Sequence, residues 1–397
     1  MSDRILKLSR AFKLILCLSF CILLTACGTS PQVRAQKRLF LDFSLEYLGE
    51  YELPKTTFKD TPVGGISAIT YDRDRSRFYA LSDDRSNKAP ARFYTLNVKF
   101  DRTDEDKLTL KKVDLEDVTF LKDEEGKTYA SGSIDPEGIA FSPRKTLYIS
   151  TEGIISQNIA PFIGEFDLKT GKKQESLRIP QRYLPEEDAS KKGERGIQNN
   201  LGFEALTLKS NGYLPDDPFR LFAATESALK QDIVPQNPEQ ETKPEPTRIR
   251  LLHYLINPVG SPVLVAEHLY LLDLAPSDAL NNGLSELTAL NQAGHFLSLE
   301  RTFGLSGFGA KIFQVVVGNA TDTSRIATLK GNISRVVPLK KKLLLDLNQL
   351  DIDLDNLEAM TLGPPLSDGS QLLLLASDDN FREAQVTQFL LFRLIRG

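Results

Sequence analysis

Residues 356–380 read NLEAMTLGPPLSDGSQLLLLASDDN. Two apolar runs lie in this stretch. The first is entered beside Glu358, the second ends on Asp378 and Asp379, and Pro, Asp and Gly punctuate the turn between them. Short apolar runs bounded by turn formers are the signature of strands. The same unit occurs four more times. Its first halves are GGISAITYD from Gly64, DPEGIAFSP from Asp135, LGFEALTLK from Leu201 and GLSELTALN from Gly283. The matching second halves are RFYALSDDR from Arg77, TLYISTEGI from Thr146, RLFAATESA from Arg220 and HFLSLERTF from His295. A third run usually follows: ARFYTLNVKF, FIGEFDLKTG, RIRLLHYLI, KIFQVVVGN and QFLLFRLIR.

A chain that repeats a strand–turn–strand unit builds an array, and a repeated carboxylate in that unit builds a ring of carboxylates. The sequence therefore predicts an all-β fold, a β-propeller of five blades. A sixth would fit if a unit lies around Lys107–Leu121 or Val263–Leu274. The competing β-sandwich does not account for a fivefold acidic register. Successive units lie about 65 to 85 residues apart, longer than the roughly 40 to 50 of a compact four-stranded blade. Polar inserts within 183–200 and 231–247 supply the excess and read as surface loops. The segment FSLEYLGEYEL, 43–53, has no partner of its own, and the last unit has no fourth strand. Pairing the two would close the ring and cover two edges.

The N-terminal residues carry an address. Arg4, Lys7, Arg10 and Lys13 precede an apolar run from Leu14 to Leu24, followed by Leu-Thr-Ala-Cys ending at Cys27. A basic segment, a short apolar segment and small residues before a cleavage point form a secretory signal. The run is shorter than the roughly 20 residues that span a bilayer. Leu-Thr-Ala-Cys also looks like a bacterial lipobox, with Cys27 as the lipidated residue. The domain reading is 1–26 signal peptide, 27–40 tether and 41–397 propeller, exported to the cell envelope or periplasm and held at a membrane by lipid at Cys27. All three cysteines, Cys17, Cys21 and Cys27, precede the propeller, so thiol and disulfide chemistry are excluded from it. Loss of the residues up to Ala26, with four basic groups and Asp3, moves the formal net charge from −4 to about −7. An acidic, exported domain without an aromatic–basic patch is no nucleic-acid binder, and it is expected to be a monomer.

The acids are the candidate site. Glu137, Glu204, Glu286 and Glu358 stand near the starts of first strands, where the first unit has Ser67. Asp83, Asp84, Glu152, Glu226, Glu300, Asp378 and Asp379 stand at the ends of second strands. In a propeller both sets converge on one end of the central channel. So many carboxylates require protons, arginines or a cation: two like charges about 4 Å apart repel by roughly 4 kcal/mol at an effective dielectric near 20. Oxygen donors without His or Cys favour Ca²⁺. His253, His268 and His295 show no zinc spacing. Arg85, Arg301 and Arg382 follow acids and either neutralise them or offer guanidinium forks to an anionic substrate. A first-strand Glu can equally be structural, accepting backbone N–H groups from a neighbouring blade. No nucleophile elbow, Walker loop or H-E-x-x-H is present, and no catalytic residue is assigned.

In GGISAI…ALSDDR, DPEGIAF…ISTEG, GFEALTL…AATES and NLEAMTL…ASDDNF the chain resembles the family called esterase-like activity of phytase, from about Phe43 to Arg396. The resemblance implies a propeller related to calcium-dependent alkaline phytases, with Ca²⁺ on acids at one face and phosphatase, phytase or esterase activity. A dense Lys and Arg pocket for a hexaphosphate is missing. The expected function is hydrolysis of a small phosphate or carboxylic ester. The alternative is a non-catalytic envelope propeller that binds a protein or glycan.

Overall fold

The computed structural model describes residues 39–102, 108–186, 193–210, 212, 214–235 and 244–397. The signal peptide, Cys27 and most of the tether lie outside the described residues. The folded unit runs from Asp42 to Gly397. Strand β1 (Phe43–Leu53) is followed by a small hairpin, β2 (Thr57–Phe58) and β3 (Thr61–Pro62). The first blade is β4 (Ile66–Asp72), β5 (Arg77–Ser82), β6 (Arg92–Arg102) and β7 (Leu108–Phe120). The second is β8 (Pro136–Phe141), β9 (Thr146–Thr151), β10 (Ile163–Asp167) and β11 (Lys173–Ser176). The third is β12 (Phe203–Ser210), β13 (Phe219–Thr225), β14 (Arg248–Ile256) and β15 (Val263–Leu271). The fourth is β16 (Ala279–Ala289), β17 (His295–Gly304), β18 (Gly307–Val316) and β19 (Lys340–Asp346). The fifth is β20 (Leu357–Pro365), β21 (Gln371–Ser377), β22 (Thr387–Arg396) and β1, in the order β20-β21-β22-β1.

The protein is thus an all-β, five-bladed propeller. The regions considered for a sixth blade contain instead the outer strands β7 and β15. Beyond β1–β22, which pair antiparallel from Phe43↔Arg396 to Leu53↔Thr387, each blade is a meander of antiparallel neighbours. The inner strands touch in cyclic order: β4 with β8, β8 with β12, β12 with β16, β16 with β20 and β20 with β4.

The core follows from the continuously apolar runs. A strand packed on both faces cannot alternate apolar with polar. Five hydrophobic clusters result, one between each successive pair of blades. Ile139, Leu147 and Ile149 pack on Tyr79, Leu81 and Phe93, whereas Phe78, Ala80 and Tyr94 pack on Leu372, Leu374 and Leu391 of the fifth blade. Full burial of each such side chain contributes about 1.5–3 kcal/mol. The Lys340–Lys342 run starts the outermost strand of its blade. Lys341 turns inward, pairs with Glu300 and lies 4.1 Å from the centre of the Phe313 ring. Among the described residues no helix is long and apolar enough to cross a membrane.

Candidate metal centre and active site

One irregularity recurs in every blade and builds the site. Each first strand carries a bulge at its start, between Ile66/Ala68, Pro136/Gly138, Phe203/Ala205, Leu284/Glu286 and Leu357/Ala359. The extra residue is Ser67, Glu137, Glu204, Ser285 or Glu358. A bulge re-aims one side chain, and here it marks equivalent positions in the five blades. Opposite it, the residue just past the last paired position of the second strand is Asp83, Glu152, Glu226 or Asp378. In the fourth blade the register Gly283↔Arg301 puts Arg301 at that place. The two rings therefore hold seven acids, two serines and one arginine. The seven acids and Arg301 line a cavity of about 590 Å³.

Neighbouring blades fix these acids. Gly202 N–H donates to Glu152 Oε1 at 2.6 Å. A Cβ at Gly202 would lie 2.6 Å from the Glu152 carbonyl oxygen, and one at Gly283 would lie 2.2 Å from Glu226 Oε1. Glycine at these points lets each acid rest against the next blade.

Arg301, nearly buried, lies between acids of the third and fifth blades. Its Nη2 donates to Glu226 Oε1 at 2.9 Å and lies 3.4 Å from Glu358 Oε1. Asn356 Nδ2 donates to the same Glu358 oxygen at 2.9 Å. Arg85 Nε donates to Asp135 Oδ1 at 2.7 Å, and its Nη2 donates to Asn200 Oδ1 at 2.5 Å. Two guanidinium groups do not balance the acids. Burial, then Glu204, Asp135 and Asp83, pushes Glu137 well above the usual carboxylate range. Glu204 is raised by burial, then by Glu152, Glu226 and Glu358, against the pull of Arg301. Glu152 is raised by burial, Asp135 and Glu226. Burial and then Asp83 and Glu358 raise Asp378, and burial, Glu358 and Asp135 raise Asp83. Glu226 and Glu358 are raised by burial and held back by Arg301.

Four of the acids expected at the mouth have other occupations. Asp84 accepts from the Asn87, Lys88 and Ala89 N–H groups and from buried Arg92 at 2.8 Å. Burial would raise its pKa, but Arg92 and these N–H groups outweigh that and lower it. It borders the cavity as part of a structural clasp. Asp379 accepts from Gly65 N–H at 2.8 Å and Phe381 N–H at 3.1 Å, tying the fifth blade to the first. Glu300 faces away from the channel, where it accepts from Tyr270, Lys341 and Asp273 N–H. Glu286 follows the bulge instead of forming it. It accepts from Leu206 N–H at 3.2 Å and Leu287 N–H at 2.8 Å and lines a second cavity of about 190 Å³ farther along the channel. This is the blade-locking role available to a first-strand Glu. A shift of one residue along a strand sends a side chain to the other face, and each of these four is one residue off the ring position. Arg85, Arg301 and Arg382 all line the mouth cavity.

Asp135 belongs to the site and was not singled out from the sequence. The signal was an acid before Pro136, where other blades have Gly65, Gly202, Gly283 or Asn356. Asn200 and Asn281 also line the mouth.

The residues fit a metal. Single carboxylate oxygens from Asp135, Glu137 and Glu152 lie within 4.8 Å of one another, as do those from Glu152, Glu204 and Glu226. Glu152 is common to both triads. Glu204 Oε2 and Asp83 Oδ1 are buried without a hydrogen-bond partner. A buried acceptor without a donor is costly, and an all-oxygen cluster with spare lone pairs suits a hard divalent cation.

Comparisons with known proteins complete the description. No curated protein matches the chain. Solved structures show loose likenesses. The catalytic domain of the Coprinopsis cinerea GH62 alpha-L-arabinofuranosidase is 12% identical with a TM-score of 0.38, over 89% of this chain and 97% of that one. An endo-arabinase from Bacteroides thetaiotaomicron is 11% identical with a TM-score of 0.39, over 83% and 93%. The sequence profile of the Phytase-like family, described as "Esterase-like activity of phytase", matches residues 61–381, a span that holds all five first strands and the whole acidic mouth, and the chain belongs to that family.

Proposed function

We propose that the protein is a calcium-dependent hydrolase of small phosphate or carboxylic esters, exported and anchored through lipid at Cys27, with the acidic mouth as its active site. The observation that supports this reading is the pair of all-oxygen triads sharing Glu152, surrounded by more acids than the paired Arg85 and Arg301 balance. Asp135, Glu137, Glu152, Glu204 and Glu226 would hold Ca²⁺. Calcium bound there supplies positive charge that polarises a phosphoryl or carbonyl oxygen and acidifies a water.

The chain's own groups do the rest. Asp378 lies outside both triads, and its carboxyl is raised by burial and by Asp83 and Glu358. Burial and these neighbours favour its protonated form, which can give a proton to a leaving oxygen. Arg382 is exposed on the rim and Arg85 half-buried beside it, where they meet an anionic substrate. Arg301 offsets part of the upward shift of Glu226 and Glu358 and so marks the edge of the metal-binding sector.

The test is hydrolysis of p-nitrophenyl phosphate and p-nitrophenyl butyrate, with Ca²⁺ or with EGTA, and Tm in the same samples. The expected result is turnover that needs Ca²⁺ and a Tm that rises with it. A Tm rise without turnover of either ester would replace the enzyme by a non-catalytic propeller that binds a partner. If Ca²⁺ moves neither quantity, the metal centre is refuted. The anchor is checked separately by mass spectrometry of the mature N-terminus, which should begin at a lipid-modified Cys27.

A further inference from the structure

The fourth blade departs from the others at the mouth, and its departure is apolar. In four blades the second strand stops one residue before its mouth acid, at Ser82, Thr151, Thr225 and Ser377. In the fourth, β17 continues past Arg301 to Gly304, and β18 starts at Gly307. A β-ribbon therefore stands above the rim. Phe303 pairs with Phe308 across it, with ring centroids 4.8 Å apart, and both rings line the same cavity as the acids. Leu305 at its turn is 84% exposed, Leu280 on the adjoining strand 71% and Phe303 38%. The ribbon is built and held: Leu305 N–H donates to Asp278 O at 3.2 Å and Ser306 Oγ donates to Asp278 Oδ2 at 2.6 Å. The corresponding connections of blades one and five are mostly polar, DDRSNKAPA at 83–91 and DDNFREAQV at 378–386, and the one aromatic ring there, Phe381, is covered by Lys88 and Arg92.

Large apolar side chains held in the open beside a polar cavity mark a binding surface. We propose that this ribbon is the hydrocarbon-binding lip of the site and that the substrate is an amphiphilic ester, with a compact ester head in the acidic mouth and one alkyl or acyl arm along Phe303, Phe308, Leu280 and Leu305. The inference rests on the hydrolase reading for the location of the head. The arm's occupant follows from continuity: one cavity has carboxylates on its floor and aromatic rings on one wall.

The probes are methyl phosphate and octyl phosphate, the latter below its micellar concentration, titrated calorimetrically into the full chain with Ca²⁺. Released inorganic phosphate is measured in the same samples. Each methylene taken from water is worth about a three- to fourfold gain when fully buried, so octyl phosphate should bind at least about tenfold tighter than methyl phosphate. That gain should collapse in Leu280→Ser/Leu305→Ser, two exposed positions whose change leaves the core intact, and in Phe303→Ser. Equal binding of the two probes, absence of binding, or a gain that survives both variants overturns the lip. A gain that collapses as expected while no phosphate is released keeps the lip and removes the phosphoesterase form of the hydrolase reading. Phosphate release from both probes at equal affinity does the reverse. Co-sedimentation with phosphatidylcholine vesicles, without preference for octyl phosphate, would make the ribbon a membrane contact and also overturn the proposal.

Discussion

At the scale of single residues, adjacent acids have opposite duties. Asp83 and Asp84 are neighbours, yet Asp84 is clasped by Arg92 and three N–H groups, whereas Asp83 has a buried oxygen with no donor. Breaking a buried ion pair by removing one partner costs about 3–5 kcal/mol. Asp84→Asn should therefore lower stability to urea by an amount of that order, equally with Ca²⁺ and with EGTA. Asp83→Asn removes a repelled charge. It should leave the EGTA form as stable or more so and shrink the stabilisation by Ca²⁺. Equal losses in the two variants would show that both acids are structural. Glu152 is the residue common to both triads, so Glu152→Gln should abolish calorimetric Ca²⁺ binding. Removal of Glu300, which lies outside them, should leave the stoichiometry unchanged.

Among the elements, the bulge and the glycine before it matter more than the strand. The strands themselves were legible in the sequence: the five acidic units fall on β4–β5, β8–β9, β12–β13, β16–β17 and β20–β21. What was not legible was the register at the mouth. LSEL and GFEAL look alike as strings, but the bulge falls on Ser285 in one and on Glu204 in the other. The sequence-level alignment thus put Glu286 and Glu300 on the ring, where the fold has Ser285 and Arg301. Backbone pairing decides which of two neighbours faces the channel, and composition does not encode it. The outer strands were not recognised as members of their blades, and two of them were read as a possible sixth blade, for a related reason. Half-exposed edge segments such as Leu108–Phe120 lack the continuous apolar run by which the inner strands were found. Gly202 is the matching expectation for energetics. A methyl there meets Glu152 backbone atoms at 2.6 and 2.7 Å, so Gly202→Ala should cost about 1–3 kcal/mol as overpacking. It should also weaken Ca²⁺ binding, because it displaces Glu152. Retention of wild-type Tm and Ca²⁺ affinity would show that the two blades have slack.

For the whole molecule, the mouth makes stability depend on pH and on cation together. Glu137, Glu152, Glu204, Asp83 and Asp378 titrate above their ordinary values in the fold, from burial first and like charge second. An acid raised in the native state binds more protons there than in the unfolded chain. Its contribution is complete below the ordinary carboxylate pKa near 4 and is lost as pH rises through the raised value. In EGTA, Tm should therefore fall as pH rises from the acid side toward neutral, and the increment given by Ca²⁺ should grow over the same interval. An increment independent of pH would mean that the acids do not hold the ion. The pairing of Phe43–Leu53 with Thr387–Arg396 has a consequence in time. A growing chain makes β1 first, yet its only sheet partner is the segment made more than three hundred residues later. Four blades can assemble as they emerge, but the fifth cannot, and the hydrophobic seams on both its sides stay open until then. Ring closure is therefore a late event of high contact order, and the ring stays open until β22 has been made.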